Sequence, residues 1–265
     1  MTTGISVDLN SDMGEGFGAW SMGDDAAMLD IVSSANLACG FHAGDPVIMT
    51  DTAVIAREKG VAIGAHPAFF DLWGFGRRRI SGDSPADIEK MVAYQIGALQ
   101  GVAALAGHRV THVKPHGALY NMAAADPALA GAIAQAIRSV DSSLLFVVLP
   151  GSEMERAGRA AGLRVACEVF ADRGYLDDGS LAPRGQPGAL IHDPDEAAHR
   201  TVEMVTTGTV RALSGRSVPV IADTICIHGD SPAAVAMARA VRVALEAAGV
   251  TIRPMHESVT GVTPK

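Results

Sequence analysis

A chain of 265 residues that is 48% hydrophobic and 19% charged is too apolar for disorder, and one α/β barrel can use its whole length. The formal charge of -8 would repel a phosphate backbone, and the one basic run, Arg77-Arg78-Arg79, is too short to form a nucleic-acid stripe. The N-terminal segment has no basic stretch leading into an apolar one, and no apolar run approaches a bilayer span, so neither nucleic acid nor membrane is an expected partner.

Short runs rich in Val, Ile and Ala alternate with longer stretches of helical periodicity, the pattern of repeated β/α units around a largely parallel sheet. Strands are predicted at 5–10, 33–38, 61–65, 111–114, 145–149, 164–169, 218–227 and 250–254. Helices are predicted at 24–31, 46–59, 84–106, 127–139, 152–161, 194–207 and 231–248. Asp45-Pro46, Asp126-Pro127, Asp193-Pro194 and Ser231-Pro232 each place a capping side chain before a proline suited to the first helical turn. Gly60, Gly107, Gly162 and Gly249 supply stop signals. No linker or short repeat divides the chain, so the expectation is a single domain over 1–265, an irregular, TIM-like β/α barrel of seven or eight strands.

The unusual residues collect directly after successive strands, in LNSDMGEG, ACGFHAGDP, AHPAFFD, KPHGALYN, EVFADRGY and DTICIHGD. In a β/α barrel those segments converge on one mouth, so residues scattered over the sequence become neighbours. His42, His66, His116 and His228 occupy such strand ends, whereas His108, His112, His192, His199 and His256 read as structural. Asp8, Asn10 and Asp12 alternate along the first strand and its exit and should point to one side, with Glu15 following in the same loop. The D-x-N-x-D spacing is not a calcium loop, because Met13 and Ala19 stand where Gly and Glu are needed. Lys114 precedes Pro115 and His116, while Glu168, Asp172 and Arg173 form a second charged cluster. Asp230 reads as a helix cap, and the basic run as either a solvated loop or an anion or partner contact.

Cys39, Cys167 and Cys226 are odd in number, far apart and outside any C-x-x-C. They fit small apolar filler in a reducing, cytoplasmic setting better than a disulfide frame or zinc knuckle. The sequence contains no G-x-x-x-x-G-K-[ST], H-E-x-x-H or G-x-S-x-G motif, so a P-loop, a zincin helix and an α/β-hydrolase nucleophile are unsupported.

Taken together, VDLNSDMGEGFG, SANLACGFHAGDP, GAHPAFFDLWGFGRR, THVKPHGALYN, EVFADRGY and DTICIHGD resemble the LamB/YcsF family over nearly the whole chain. The resemblance implies a seven-stranded or similar irregular β/α barrel that opens 5-oxoproline to glutamate with ATP as cosubstrate, acting with two further subunits, B and C. On that reading Asp12, His66, Lys114, His116, Asp172 and Arg173 are the catalytic candidates, and Asp8, Asn10, Glu15, His42, Glu168 and His228 the substrate-binding ones. Lys114 and Arg173 would stabilise phosphate or oxyanion charge, His116 or His66 would move protons, and Asp12 would orient a histidine or a metal. A fainter similarity to YdjC-type barrel deacetylases implies a divalent metal on Asp12, His66 and His116, although Ser11 stands where that pattern has a second Asp. Two rival readings stay open: a metal-dependent deacetylase or amidohydrolase acting alone, and a non-catalytic binding or scaffold subunit.

Overall fold

The structure, a computed structural model, describes residues 4–229 and 233–259. Seven parallel strands form a closed ring: β1 (Ser6–Met13), β2 (Ser34–Ala38), β3 (Ala62–His66), β4 (Val110–Val113), β5 (Leu145–Val148), β6 (Arg164–Phe170) and β9 (Thr224–Cys226). Closure comes from β1, which pairs Asn10 to Met13 with β2 on one side and Asp8 to Asn10 with β9 on the other. The helices α2 (Pro46–Glu58), α3 (Pro85–Leu105), α5 (Pro127–Asp141), α6 (Glu153–Ala160), α7 (Pro194–Thr207) and α8 (Ala234–Ala247) follow successive strands and bury apolar faces. No helix among the described residues is long and apolar enough to cross a membrane.

The expected starts and stops are physical ones. Asp45, Asp126 and Asp193 each accept two backbone N–H groups of the helix they precede, and a proline opens each of those helices. Gly60, Gly107, Gly162 and Gly249 follow helices with φ near +70°, the left-handed conformation that costs glycine least. Asp230 and the Ser231-Pro232 pair lie outside the described residues.

Two strand expectations are corrected. The apolar run 218–227 is not one strand: β8 (Ser217–Pro219) pairs antiparallel with β7 (Thr209–Arg211), and only Thr224–Cys226 becomes a stave. Pro219 lacks the N–H a continuous central ladder needs, so it sits on the hairpin instead. The run at 250–254 contracts to β10 (Thr251–Ile252), which pairs only with Ser6 and Val7 below the point where β9 takes over, and therefore never enters the ring. The helix expected at 24–31 is shorter, as α1 (Asp25–Met28), and two short helices were not expected: α4 (Gly117–Ala123) and α9 (Met255–Ser258).

The barrel interior is polar where most barrel cores are aliphatic. Asp8, Asn10 and Asp12 project from alternate positions of β1 and are all buried. Gly64 of β3 leaves room for His112 of β4, since a Cβ there would lie 2.1 Å from the imidazole. His112 donates through Nε2 to Asn36 Oδ1 at 2.9 Å, and Asn36 Nδ2 in turn donates to Asn10 Oδ1 at 2.7 Å and Asp12 Oδ1 at 2.9 Å. Burial pushes the His112 pKa down to about 3, so this ring is a neutral scaffold group.

Asp8 sits low in the barrel, where Ser33, Ser34 and Thr224 hydroxyls and the Met255 N–H all donate to it. Burial outweighs these bonds and raises its pKa from 3.8 to about 6. A raised carboxyl pKa means that the native state holds the proton more tightly, so this contribution is greatest at low pH and is lost as pH rises from about 4 to about 6. Chemical denaturation across that range should show the wild type losing about 3 kcal/mol relative to Asp8→Asn. Parallel pH profiles for the two proteins would refute the assignment.

Candidate active site

The carboxyl ends of the staves open on one cavity, of about 120 Å³, whose walls include Asp12, His66, Lys114, His116, Phe170, Arg173 and His228. Residues from the ends of five strands, as far apart in sequence as Asp12 and His228, thus share one mouth, as parallel closure demands.

Lys114 is the centre of the charge arrangement. It is the first residue past β4 and only 3% exposed. Its Nζ donates to Asp12 Oδ1 at 2.9 Å and meets Glu168 Oε1 at 2.8 Å and Cys226 Sγ at 3.0 Å. Burial would lower the ammonium pKa, yet Asp12, Cys226 and Glu168 raise it well above the usual lysine range. The same pairing works in reverse on Asp12: burial would raise its pKa, but His66 and Lys114 hold the carboxyl well below the ordinary range. Cys226, expected as inert filler, is therefore part of the ammonium's shell.

A second cluster lies beside the first. His66 Nε2 is 3.3 Å from Asp12 Oδ2 and 2.9 Å from His116 Nδ1. Glu15 Oε1 lies 3.4 Å from His116 Nδ1 and 3.3 Å from His42 Nε2, and the His42 and His116 rings stack 3.8 Å apart. Glu15, His42, His66 and His116 are all buried, with their ligand atoms within 4.8 Å of one another, so they form a group that could hold a metal. Asp12, which also faces His66 Nε2, belongs with Cys226 and His228 in a second such group. His66 and His116, two of the three positions that the deacetylase likeness implied, thus meet Glu15 and His42 as well as Asp12. Burial and the neighbouring histidines push the pKa values of both His42 and His116 well below the usual imidazole range.

Local backbone strain holds this cluster in place. Phe75 has φ 54°, a left-handed conformation that a bulky residue adopts at a cost of about 1–3 kcal/mol, and its carbonyl accepts from His116 Nε2 at 2.9 Å. Next to it, a Cβ on Gly76 would approach both His42 and His116 to 2.8 Å, so only glycine lets the loop lie this close. Asp71 ties the loop down by accepting from Gly74 N and from the Arg78 guanidinium. Of the basic run, Arg78 is therefore structural, Arg77 lies 5.1 Å over the Phe75 ring and lines the cavity, and Arg79 lines a wider adjoining hollow.

Across the mouth, His228 Nδ1 donates to Asp172 Oδ2 at 2.7 Å, leaving Nε2 to face Arg184 Nη2 at 3.3 Å. The His228 ring stacks on Phe170. Burial would raise the Asp172 carboxyl pKa, but His228 holds it below its ordinary range. Arg173 lines the cavity yet spends its donors on the Ala182 and Ala189 carbonyls, which anchor the covering loop.

Of the remaining candidates, Asn10 and Glu168 lie in the barrel interior, where Asn10 donates to Glu168 and Thr224, and Asp8 lies deeper still. Sequence reading missed Asn36, Phe75 and Arg184, while His112, read as structural, is the buried scaffold group described above. A polar Asn in the apolar run SANLA was an available signal, whereas nothing in FGRRR marks a strained Phe.

The LamB/YcsF family pattern matches residues 7–260. The chain is 59% identical over 250 residues to a Rhodopseudomonas palustris protein named as the A subunit of 5-oxoprolinase, covering 94% of this chain and 98% of that one. A Gluconobacter oxydans protein of the same name is 53% identical, covering 96% and 99% of the two chains. A lactam utilization protein from Thermus thermophilus superposes with a TM-score of 0.90 at 51% identity, covering 94% and 99%. A deacetylase solved with its substrate shares the fold alone, with a TM-score of 0.53 and 16% identity over 98% and 94% of the chains. The match across almost every described strand and loop, including those that build the mouth, makes this chain a member of the LamB/YcsF family.

Proposed function

We propose that the chain is the A component of an ATP-dependent 5-oxoprolinase. It would work with two further subunits, B and C, to open the lactam of 5-oxoproline to glutamate as ATP is hydrolysed to ADP and phosphate. The observation that carries this reading is the near full-length identity of 53–59% with proteins bearing the name, and the chemistry of the mouth supports it. Three buried free cysteines suit a reducing cytoplasm.

An amide carbonyl is a poor electrophile and its nitrogen a poor leaving group, so the reaction needs activation by phosphate transfer, stabilisation of negative charge on oxygen, and a proton for the departing nitrogen. Lys114 supplies a permanent positive charge at the cavity floor. Arg77 and Arg184 line the wall, where a substrate carboxylate or phosphate requires cations. The His228–Asp172 pair has the geometry of a proton carrier: the carboxylate fixes the tautomer, and Nε2, which accepts from Arg184 Nη2 at 3.3 Å, lies at the cavity wall. The chain has no P-loop, so phosphate transfer falls to the assembly. Phe70 and Trp73, which are 73% and 90% exposed beside the mouth, are the surface we assign to partner contact. A deacetylase acting alone has in its favour the shared fold and the meeting of Asp12, His66 and His116, but Ser11 stands where that pattern has a second Asp, and a passive scaffold would leave the buried charges at the mouth without purpose.

Reconstitution tests the assignment. Glutamate and ADP should form from 5-oxoproline and ATP only when all three components are mixed, and Trp73→Ser should weaken co-purification without changing the circular dichroism spectrum. Robust turnover by the single chain would end this reading.

Two substitutions separate chemistry from architecture in the complex. His228→Asn should lower kcat about 10²- to 10⁴-fold with only a small fall in melting temperature, because the amide can still donate to Asp172 while the proton transfer is lost. Lys114→Met should abolish turnover and also cost about 3–5 kcal/mol of stability, since it strands two buried carboxylates. Equal thermal stability of Lys114→Met and wild type would show that the ammonium is not the keystone inferred above.

A further inference from the structure

We infer that Glu15, His42, His66 and His116 form a binding site for one transition-metal dication of the zinc type, with Glu15 Oε1, His42 Nε2, His66 Nε2 and His116 Nδ1 as its donor atoms. The inference rests on this chain alone and holds or fails independently of the reaction assigned above.

His66 Nδ1 lies 2.7 Å from the Lys114 carbonyl, and a carbonyl only accepts, so Nδ1 carries the ring proton and Nε2 presents a lone pair. His116 Nε2 is committed in the same way to the Phe75 carbonyl, so Nδ1 presents a lone pair. These two lone pairs point at each other across 2.9 Å, and each also faces a carboxylate oxygen, on Asp12 at 3.3 Å and on Glu15 at 3.4 Å. Four acceptors therefore face one another. One proton cannot bridge all of these contacts at once. A metal ion among the donors relieves them together.

Zinc bonds to imidazole nitrogen or carboxylate oxygen at about 2.0–2.2 Å, so the edges of a tetrahedron of donors are about 3.3–3.6 Å. The separations here of 3.3 Å and 3.4 Å match such edges, the 2.9 Å contact is shorter, and no pair in the group exceeds 4.8 Å. Three imidazoles and one carboxylate form a nitrogen-rich set that suits zinc or cobalt and not magnesium or calcium, which favour oxygen ligands. The outward N–H groups of His66 and His116 end on carbonyls, the arrangement by which metal-ligating imidazoles are oriented, and the strained Phe75 fixes one of those carbonyls.

The place of the group is also consistent: the four donors come from the exits of β1, β2, β3 and β4, consecutive staves of the ring. His66 and His116 border the cavity and Glu15 and His42 lie behind them, so an ion there would form part of the cavity wall.

Direct metal binding tests the inference on the full-length chain, without partners or substrate. After chelator treatment and dialysis, Zn²⁺ or Co²⁺ is added, bound metal is counted by elemental analysis, and the cobalt form is examined for visible absorption. The expected result is one ion per chain, cobalt bands of a four- or five-coordinate nitrogen-rich site, and a raised melting temperature. Glu15→Gln and His42→Asn, checked for native circular dichroism, should each weaken binding by roughly 10-fold or more, whereas the exposed His199→Ala should leave it unchanged. Failure of the wild-type chain to take up stoichiometric metal would overturn the site. Undiminished binding by folded Glu15→Gln and His42→Asn would overturn this ligand set.

Discussion

A single buried ammonium governs the barrel interior. Lys114 lies between Asp12 of β1 and Glu168 of β6, the two strands that flank β9, and it touches Cys226 on β9 itself. Burying such charges costs several kcal/mol per ion, and only close opposite partners and further hydrogen bonds offset that cost. Asn10 and Asn36 supply those bonds, donating to Glu168 and Asp12. The carboxylates cannot move without uncovering a charge, so the position of every group at the mouth is referred to this point.

The histidine cluster depends on it in turn. His66 reads the same peptide that carries Lys114, donating to its carbonyl, and faces the Asp12 oxygen that Lys114 does not use. Hence the orientation of one imidazole follows from where the lysine backbone lies. The loop over 71–77 then closes on His42 and His116 at a distance only Gly76 permits, with Phe75 held in a strained conformation. Such strain persists only where the surroundings over-determine the backbone, and here those surroundings are Asp71, Arg78 and the stacked imidazoles.

The mouth accordingly has two unlike halves. On the β1 to β4 side lie carboxylates and imidazoles whose ligand atoms fall within 4.8 Å of one another. On the side of β6 and β9, one histidine is oriented by one carboxylate and faced by arginine. The shared fold of distant barrel deacetylases does not distinguish among the chemistries such a mouth can perform, because a barrel's function resides in its loops.

Much of this was legible in the sequence because the governing physics is local. Period-two and period-3.6 patterns, Asp-Pro helix starts and glycine stops located the β/α units, and parallel closure then required that the residues after each strand meet, which brought Asp12, His66, Lys114, His116 and His228 to one cavity. Other features are properties of register and packing. Whether residues 218–227 were one strand or two depended on which neighbour could pair around Pro219. That Asp8 lies beneath the site and Asp12 within it follows from where β9 begins to pair with β1. Glu15 joined His42 and Asn36 joined Asp12 only once the staves were aligned, because side-chain distances of 3 Å across separate strands are fixed by tertiary geometry and leave no periodic trace in the chain.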